Sequence, residues 1–161
     1  MSTPSSLTPL GGDLPLADRF LFEVDGVEIG LFREVFGLQV TVGVDEIVEG
    51  GQNGFVYKVP SRMTWPNLVF RRGLTQSDAL FSWMSKSSGE GFAGNENKLT
   101  RSTGAVTALD SLGVRLRSWE FQSVFAVRWK GPDFSVGTNQ ALEEELEVAH
   151  HGFKAKTQSS A

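Results

Sequence analysis

The stretch WPNLVFRRGLTQSD, residues 65–78, joins a strand pattern directly to a helix start. Its first half is typical of a half-buried strand that ends at Gly73. Thr75 and Asp78 fit a capping box in which Asp replaces Glu, and Leu74 fits a hydrophobic staple beside it. A strand and a helix therefore follow each other without a linker, which predicts a helix at one edge of a protein that is otherwise β.

A helical stripe continues this stretch. We expect one face of the helix to pack on a core, because the positions at helical spacing are Leu80, Trp83, Met84 and Ser87. Gly89 predicts the end of the helix. The polar, Gly-rich residues 86–103 predict a loop after it.

The chain before this stretch has strand patterns. Two alternating runs on either side of Asp25 and Gly26 predict a β-hairpin over residues 20–31, because Gly tolerates the positive φ of a type I′ turn. Further along, apolar residues alternate with polar or small ones at Leu38, Val40, Val42 and Val44. This alternation predicts a strand with one face in the core.

A Gly-rich flap, residues 49–60, interrupts the strand patterns and contains Phe55 and Tyr57. Large apolar side chains in a long connection need a surface to cover them. Two interpretations stay open: the flap folds onto its own domain, or it contacts a neighbouring molecule.

The C-terminal third returns to β patterns. Residues 105–109 and 114–117 read as strands on either side of a turn at residues 110–113. The next strand has an aromatic face and a polar face, and Gly131 and Pro132 end it. Its aromatic face is expected to carry Trp119, Phe121, Phe125, Val127 and Trp129, and its polar face Glu120, Gln122, Arg128 and Lys130.

Residues 141–151 fit a helix or a strand. Leu142, Leu146 and Ala149 suit a helix face, and the Glu-rich composition favours a helix. Strand spacing would instead place Leu142, Leu146 and Val148 opposite the acidic row Glu143, Glu145 and Glu147. The residues alone leave both structures open.

Composition sets broader limits. The 161 residues are 40% hydrophobic and contain no Cys, so one packed core without disulfides is expected. We expect a folded body over residues 18–153, a disordered extension at 1–17 and a polar tail at 154–161, because the first segment is rich in Ser, Thr, Pro and Gly and the last is small and polar. No secretory signal is expected at the N-terminus, and no run is long and apolar enough for a membrane span. A formal charge of −4 argues against a general nucleic-acid binder.

Three blocks together resemble the tail-tube proteins of contractile phages and phage-derived contractile injection systems. The first block joins FLFEVDGV at residues 20–27 to VFGL at 35–38. The second joins residues 65–75 to DALFSW at 78–83, and the third joins WKGPD at 129–133 to LEVAHHGF at 146–153.

This resemblance implies a mainly β (α+β) fold, a β-sandwich or barrel of two antiparallel sheets with one flanking α-helix. It favours the strand at residues 141–151. It also implies hexameric rings that stack into a hollow inner tube, a conduit for DNA or effector cargo, with a sheath outside and baseplate or hub proteins at the end. Such a tube is assembled in the bacterial cytoplasm and is part of a virion or an injection particle. A specialised ring at the base or end of the tube is the alternative within this family.

The candidate site residues follow from the patterns and the resemblance. The flap corresponds to the segment with which family members reach an adjacent subunit, so Phe55 and Tyr57 are predicted inter-subunit contacts. Arg71 and Arg72 are predicted either as inter-subunit contacts or as partners of cross-strand charge pairs, because the acidic net charge argues against a nucleic-acid groove at these residues. The acidic row Glu143, Glu145 and Glu147 is predicted as lumen or ring-face charge.

Catalysis, metal binding and cofactor binding are not predicted. Residues 89–94 formally fit G-x-G-x-x-G, but they follow a helix and open none, so no dinucleotide cofactor is expected. The acidic row with His151 would suit a metal, although charge runs usually only keep a surface wet. From a different class, a carbohydrate-binding β-sandwich is the alternative, with Trp65, Trp119 and Trp129 as its platform.

Overall fold

The computed structural model describes residues 16–51, 54–87, 102–137 and 139–156. These residues form ten strands and one helix. In chain order they are β1 (Arg19–Val24), β2 (Val27–Phe32), β3 (Glu34–Phe36), β4 (Thr41–Ile47), β5 (Tyr57–Thr64), β6 (Leu68–Gly73), α1 (Ala79–Ser87), β7 (Ser102–Leu109), β8 (Arg115–Lys130), β9 (Glu143–Ala149) and β10 (Phe153–Lys156).

Two antiparallel sheets share the 16-residue strand β8. The first sheet contains β2, β1, β7, the N-terminal half of β8, and β10. The second sheet contains the C-terminal half of β8, then β9, β6 and β3. The backbone of Arg33 donates to the carbonyl of Arg71 over 2.9 Å and ties the two sheets together on the far side. The predicted mainly β fold with one flanking helix is confirmed.

Aromatic side chains fill the core between the sheets. The Phe22 ring lies 4.5 Å from the Phe70 ring and 5.6 Å from the Trp83 ring of α1. Phe32 packs on Phe70 at 5.0 Å, and Phe121 is fully buried beside them. Each buried aromatic stabilises the fold by roughly 1.5–3 kcal/mol relative to an exposed one. The core therefore holds both sheets and the helix in one body.

The first hairpin has the predicted turn. Asp25 has φ 51° and Gly26 has φ 77°, as a type I′ turn requires at both central positions. The turn at Asp110 is confirmed as well: its carboxylate accepts hydrogen bonds from the backbone of Leu112 at 2.9 Å and Val114 at 2.8 Å.

The helix begins later than the sequence predicts. Its first residue is Ala79, and the carbonyl of Asp78 accepts from the backbone of Ser82 over 3.0 Å. The predicted capping box is wrong because the Thr75 hydroxyl accepts instead from Ser77, two residues on, at 3.2 Å. Such a local turn competes with helix capping.

The face of the helix is as predicted, since Leu80 and Trp83 are buried and Met84 packs against the core. Lys86 and Ser87 lie in α1, and residues 102–103 begin β7, so the predicted loop at 86–103 is too long at both ends. The predicted stop at Gly89 and the G-x-G-x-x-G match fall outside the described residues.

The aromatic face of β8 is only partly as predicted. Ser123 has φ 54°, and the strand changes from the first sheet to the second at this point. A further register shift lies between Ala126 and Arg128. Because each irregularity displaces the alternation, Val124 is buried where a polar-face residue was expected and Val127 is exposed.

The C-terminal segments are strands. Residues 143–149 form β9, which confirms the strand over the helix. β10 pairs with β8 and runs to Lys156, three residues beyond the expected end of the body. The division of the chain at residues 17 and 153 stays a prediction. α1, the helix of the described residues, is not long and apolar enough to cross a membrane.

Strands β4 and β5 form a separate hairpin, which pairs with no other strand among the described residues. We call residues 41–64 the arm. Every residue of β5 and all but one of β4 are exposed, so the expected core face is wrong for Val40, Val42 and Val44. Leu38, before the arm, does pack against the core. Alternation indicates a face that needs covering, and it carries no information on which chain covers it.

Gly37 lies where the body meets the arm, with φ +88°, and a Cβ at this position would clash with the carbonyl oxygen of Asn67. We expect Gly37→Ala to lower the free energy of unfolding by about 1–2 kcal/mol for the positive φ and by a further ~1–3 kcal/mol for the clash. Urea denaturation measures the change. Gly113→Ala is the matched control, because Gly113 also has φ +80° but open space around it. Equal losses in both variants would contradict the close contact at Gly37.

Candidate assembly surfaces

The arm carries an exposed aromatic pair near its far end. Phe55 is 54% exposed and Tyr57 is 47% exposed. Their rings meet edge to face at 4.9 Å, so they contact each other instead of the body. Tyr57 opens β5 opposite Ile47, the last residue of β4. About half of each side chain is therefore uncovered in the single chain, and contact with a neighbouring molecule stays a prediction.

Apolar residues continue along the arm on both strands. They are exposed at Val42, Val44, Ile47, Val48, Val56, Val59 and Met63. The register brings Val42 beside Met63 and Ile47 beside Tyr57, and exposed apolar side chains that are grouped in this way are typical of an interaction site. The arm thus has the composition of a protein–protein contact.

The side chains of His150 and Trp65 fix the root of the arm, which is the connection at residues 65–67 between β5 and β6. His150 Nε2 lies 3.0 Å from the carbonyl oxygen of Pro66, and the backbone of Gly152 donates to His150 Nδ1 over 3.1 Å. Nδ1 accepts, so Nε2 carries the proton and donates to Pro66. The Trp65 ring packs edge to face on Phe153 at 5.0 Å. Burial lowers the pKa of His150, which keeps the ring neutral.

The predicted acidic row lies on the outward face of β9, where arginines meet it. We call Arg71, Arg128, Glu145 and Glu147 the charge ladder. Arg71 Nε donates to Glu145 at 2.9 Å, and Arg128 donates to Glu145 at 2.8 Å and to Glu147 at 3.1 Å. Glu143, the third member of the row, pairs with Arg33. The row is therefore part of a mixed-charge surface and is not a bare acidic one.

The charge ladder shifts the pKa of its members. The hydrogen bond from Arg71 lowers the pKa of Glu145, and Arg128 adds to the effect. Hydrogen bonds from Asn67 and then Arg128 lower the pKa of Glu147. Hydrogen bonds to Glu145 and Glu147 in turn raise the pKa of Arg71 and Arg128. All four groups are charged at neutral pH.

Beneath the ladder lies a buried charged group that the sequence analysis missed. Arg72 Nε lies 3.2 Å from Glu144, whose other oxygen accepts from Trp129 Nε1 at 3.0 Å. The guanidinium sits 5.0 Å over the Phe32 ring, and Gly30 leaves the space that it occupies. The sequence pattern that predicts this buried group is the alternation in β9, because Glu144 falls on the inward face with Leu146 and not on the face of the acidic row.

The four predicted inter-subunit residues are thus separated in the structure. Phe55 and Tyr57 lie on the arm, while Arg71 and Arg72 lie on β6 and face opposite sides of the second sheet. Both arginines make the cross-strand pairs that were one of their two interpretations. Their inter-subunit role stays a prediction, and buried Arg72 has less surface to offer than Arg71.

The alternatives from other classes gain no support. Trp65 lies at the arm root, Trp119 in the first sheet and Trp129 beside the helix residue Phe81, so the three do not share a platform. Trp119 and Trp129 pack against the core, as expected. Within the described ranges there is no group of three or more metal-ligating side chains.

Residues 17–154 match the model of a protein family, the T4-like virus tail tube protein gp19. The chain belongs to this family. Comparison with curated proteins gives no match. The family is one of structural tube proteins, which agrees with the resemblance in the three sequence blocks.

Several solved structures have the same fold. A chain from the sheath–tube complex of the extracellular contractile injection system PVC in its extended state is 20% identical, with a TM-score of 0.74, and the match covers 98% of this chain and 100% of that one. A chain of the anti-feeding prophage baseplate is 22% identical, with a TM-score of 0.69 and 97% of each chain covered. A chain of the anti-feeding prophage tube-terminating cap is 17% identical, with a TM-score of 0.73, covering 96% and 100%.

Acid should weaken the charge ladder. The folded pKa of Glu145 lies below its unfolded value, so its stabilisation is complete above about pH 4.3 and is lost as pH falls through the lowered pKa. We expect Glu145→Gln to reduce the fall in unfolding free energy between about pH 4.3 and 2, measured by urea denaturation. Glu49→Gln, which removes a carboxylate from the exposed arm, is the control. If the unfolding free energy of Glu145→Gln falls with pH as steeply as that of the wild type, the ladder does not contribute to the acid dependence.

The arm root should make stability depend on pH in a higher range than the charge ladder does. Protonation of His150 would put a hydrogen on Nδ1 against the Gly152 N–H, so stability should decrease as pH falls below about 6.5. We expect His150→Gln to flatten the pH dependence of unfolding between about pH 6.5 and 5. His151→Gln removes the neighbouring exposed histidine and should still lose stability over this range, because the hydrogen bond from Gly152 to His150 remains. If the two variants exchange these behaviours, the titrating group is misassigned.

Proposed function

We propose that this chain is a non-enzymatic structural subunit whose copies form hexameric rings that stack into the hollow inner tube of a contractile tail or injection system. The observation that carries the proposal is the arm: a hairpin with exposed apolar residues on a body that has its own complete core. Nothing in the described part of the chain covers these side chains. Copies of the same chain are the partners that a tube subunit meets.

The free sheet edges support a ring. Among the described strands, β2, β3 and β10 each pair with one neighbouring strand, and between β2 and β3 the backbone of Arg33 reaches Arg71 of β6. Unpaired edges promote unwanted pairing unless they are covered, and closure of a ring covers them with identical neighbours. Six copies with a formal charge of −4 each would give −24 per ring.

The assembled tube would be a conduit. DNA or an effector protein would pass inside, a sheath would bind outside, and baseplate or hub proteins would bind one end. We infer assembly in the bacterial cytoplasm and a final place in a virion or an injection particle. The PVC structure combines a sheath with a tube, which supports the outer partner.

The charge ladder has a proposed place in this tube. Glu143, Glu145 and Glu147 would lie on the lumen wall or on a ring face. A wall whose charges are already paired holds a charged cargo weakly, because each carboxylate has an arginine partner. A density map of the assembled tube tests this: an inner wall without these residues, and with unpaired basic groups, would contradict the lumen position.

A specialised ring at the base or end of the tube is the second candidate. The similarity to the tube-terminating cap of the anti-feeding prophage supports it, with a TM-score close to that for the PVC sheath–tube complex. Negative-stain imaging of the purified chain separates the candidates. Long tubes identify a repeating subunit, and single rings identify a cap or adaptor.

Removal of the arm aromatics should impair assembly while the body stays folded. We expect Phe55→Ala with Tyr57→Ala to leave the thermal unfolding of the body unchanged and to abolish tubes in negative-stain images, because aromatic anchors dominate many interfaces. Leu112→Ala is the control, since Leu112 is also apolar and is more exposed than either aromatic residue but lies on the β7–β8 turn. Normal tubes from the double variant would count against the arm.

A further inference from the structure

The second sheet has a different exposed apolar surface at each end. Its strand β6 starts at Leu68, next to the arm root, and ends at Gly73, roughly 17 Å away at about 3.3 Å per residue. At the Leu68 end, residues 65–67 connect to Thr64, which pairs with Thr41 at the base of the arm. At the Gly73 end, the strand faces Glu143 of β9, and the β8–β9 connection lies beyond it.

This β8–β9 connection exposes apolar residues. Phe134 is 81% exposed and Val136 is fully exposed. Leu142 and Leu74 lie beside each other at the same end, since the backbone of Leu74 donates to the carbonyl of Leu142 over 3.1 Å, and both are exposed. We call Leu74, Phe134, Val136 and Leu142 the loop patch.

We propose that the loop patch is the docking surface for the arm of a second copy of this chain, so that Phe55 and Tyr57 of one subunit pack on Phe134 and Val136 of the next. The inference rests on the proposed tube function and adds the receiving surface. It pairs the two exposed apolar surfaces that lie at opposite ends of one rigid sheet.

A second copy is the occupant that this placement favours. Contacts between two different surfaces of identical chains are heterologous, and they extend an assembly instead of closing it at two members. Each subunit then offers an arm to one neighbour and a loop patch to another. A foreign partner would need only one of the two surfaces, whereas stacking needs both.

The chemistry of the receiving end also suits the aromatic pair. A depression of about 330 Å³ lies at the root of the loop, lined by polar groups that include Lys130, Asp133 and Gln140. A tyrosine combines an apolar ring with a hydroxyl that needs a partner when it is buried. Tyr57 can therefore place its hydroxyl at this polar edge while Phe55 covers the apolar side chains of the loop.

Cysteine cross-linking of the full chain tests the contact, because the sequence has no Cys of its own. The variants combine Phe55→Cys or Tyr57→Cys with Phe134→Cys or Val136→Cys, and a short bismaleimide is added to the assembled protein. We expect at least one combination to give a ladder of covalent multimers on a denaturing gel. Each single-cysteine variant should stop at the dimer. Circular dichroism verifies that each variant is folded.

The matched control is Phe55→Cys with Leu112→Cys, which places the second thiol on an exposed turn outside the loop patch. A ladder from the loop-patch pairs, without one from this control, supports the proposal. Particles that assemble in negative-stain images but give no ladder in all four combinations, or an equal ladder in the control, overturn the docking surface and leave the tube function standing. Wild-type chains that are folded but remain monomeric at high concentration overturn both.

Discussion

The arm has apolar side chains on two strands and nothing in the described chain to bury them. Each side chain that leaves water on association contributes on the order of 1 kcal/mol, so a hairpin with this many exposed apolar positions favours a partner strongly. The body needs no such help, because Phe22, Phe70 and Phe121 are already buried between the sheets. Folding and assembly therefore use separate hydrophobic surfaces, and one can be altered without loss of the other.

The second sheet must hold its shape if contacts at its two ends are to be transmitted along a stack. Two layers of charge act on it: the charge ladder on the outer face and the pair Arg72–Glu144 on the inner face. Surface pairs of the ladder type stabilise little individually. The buried pair acts differently, since both side chains are removed from water and Glu144 also accepts from Trp129. Loss of either member would leave an uncompensated charge in the core.

Local chemistry made much of the fold predictable. The hairpin at Asp25 and Gly26 follows from the positive φ that such a turn requires, and the face of α1 follows from its periodicity. The positive φ of Ser123 was not predictable from the sequence, because this irregularity is a tertiary adjustment that lets one strand belong to two sheets. The exposure of Val42 and Val44 was not predictable either, because alternation indicates that a strand face needs covering but not which chain covers it.

The candidate surfaces were predictable to a lesser degree. Phe55 and Tyr57 were identifiable because large apolar residues are unusual in a Gly-rich connection. The arginine partners of the acidic row were not, since pairing depends on strand register. Glu145 meets Arg71 only because Leu68 lies opposite Val148 in the antiparallel pair. Whether the partner of an exposed surface is the same chain or another is a property of the assembly, and a single chain does not encode it in any local pattern.

Heterologous stacking has a consequence for the ends of a tube. A stack of identical rings exposes uncovered arms at one end and uncovered loop patches at the other, so the two ends are chemically different and each needs its own terminating protein. A ring that caps must keep the surface that faces the tube and lack, or shield, the opposite one. This chain exposes both Phe55 on the arm and Phe134 on the loop. The presence of both surfaces in one subunit favours the repeating unit of the tube over a terminal ring.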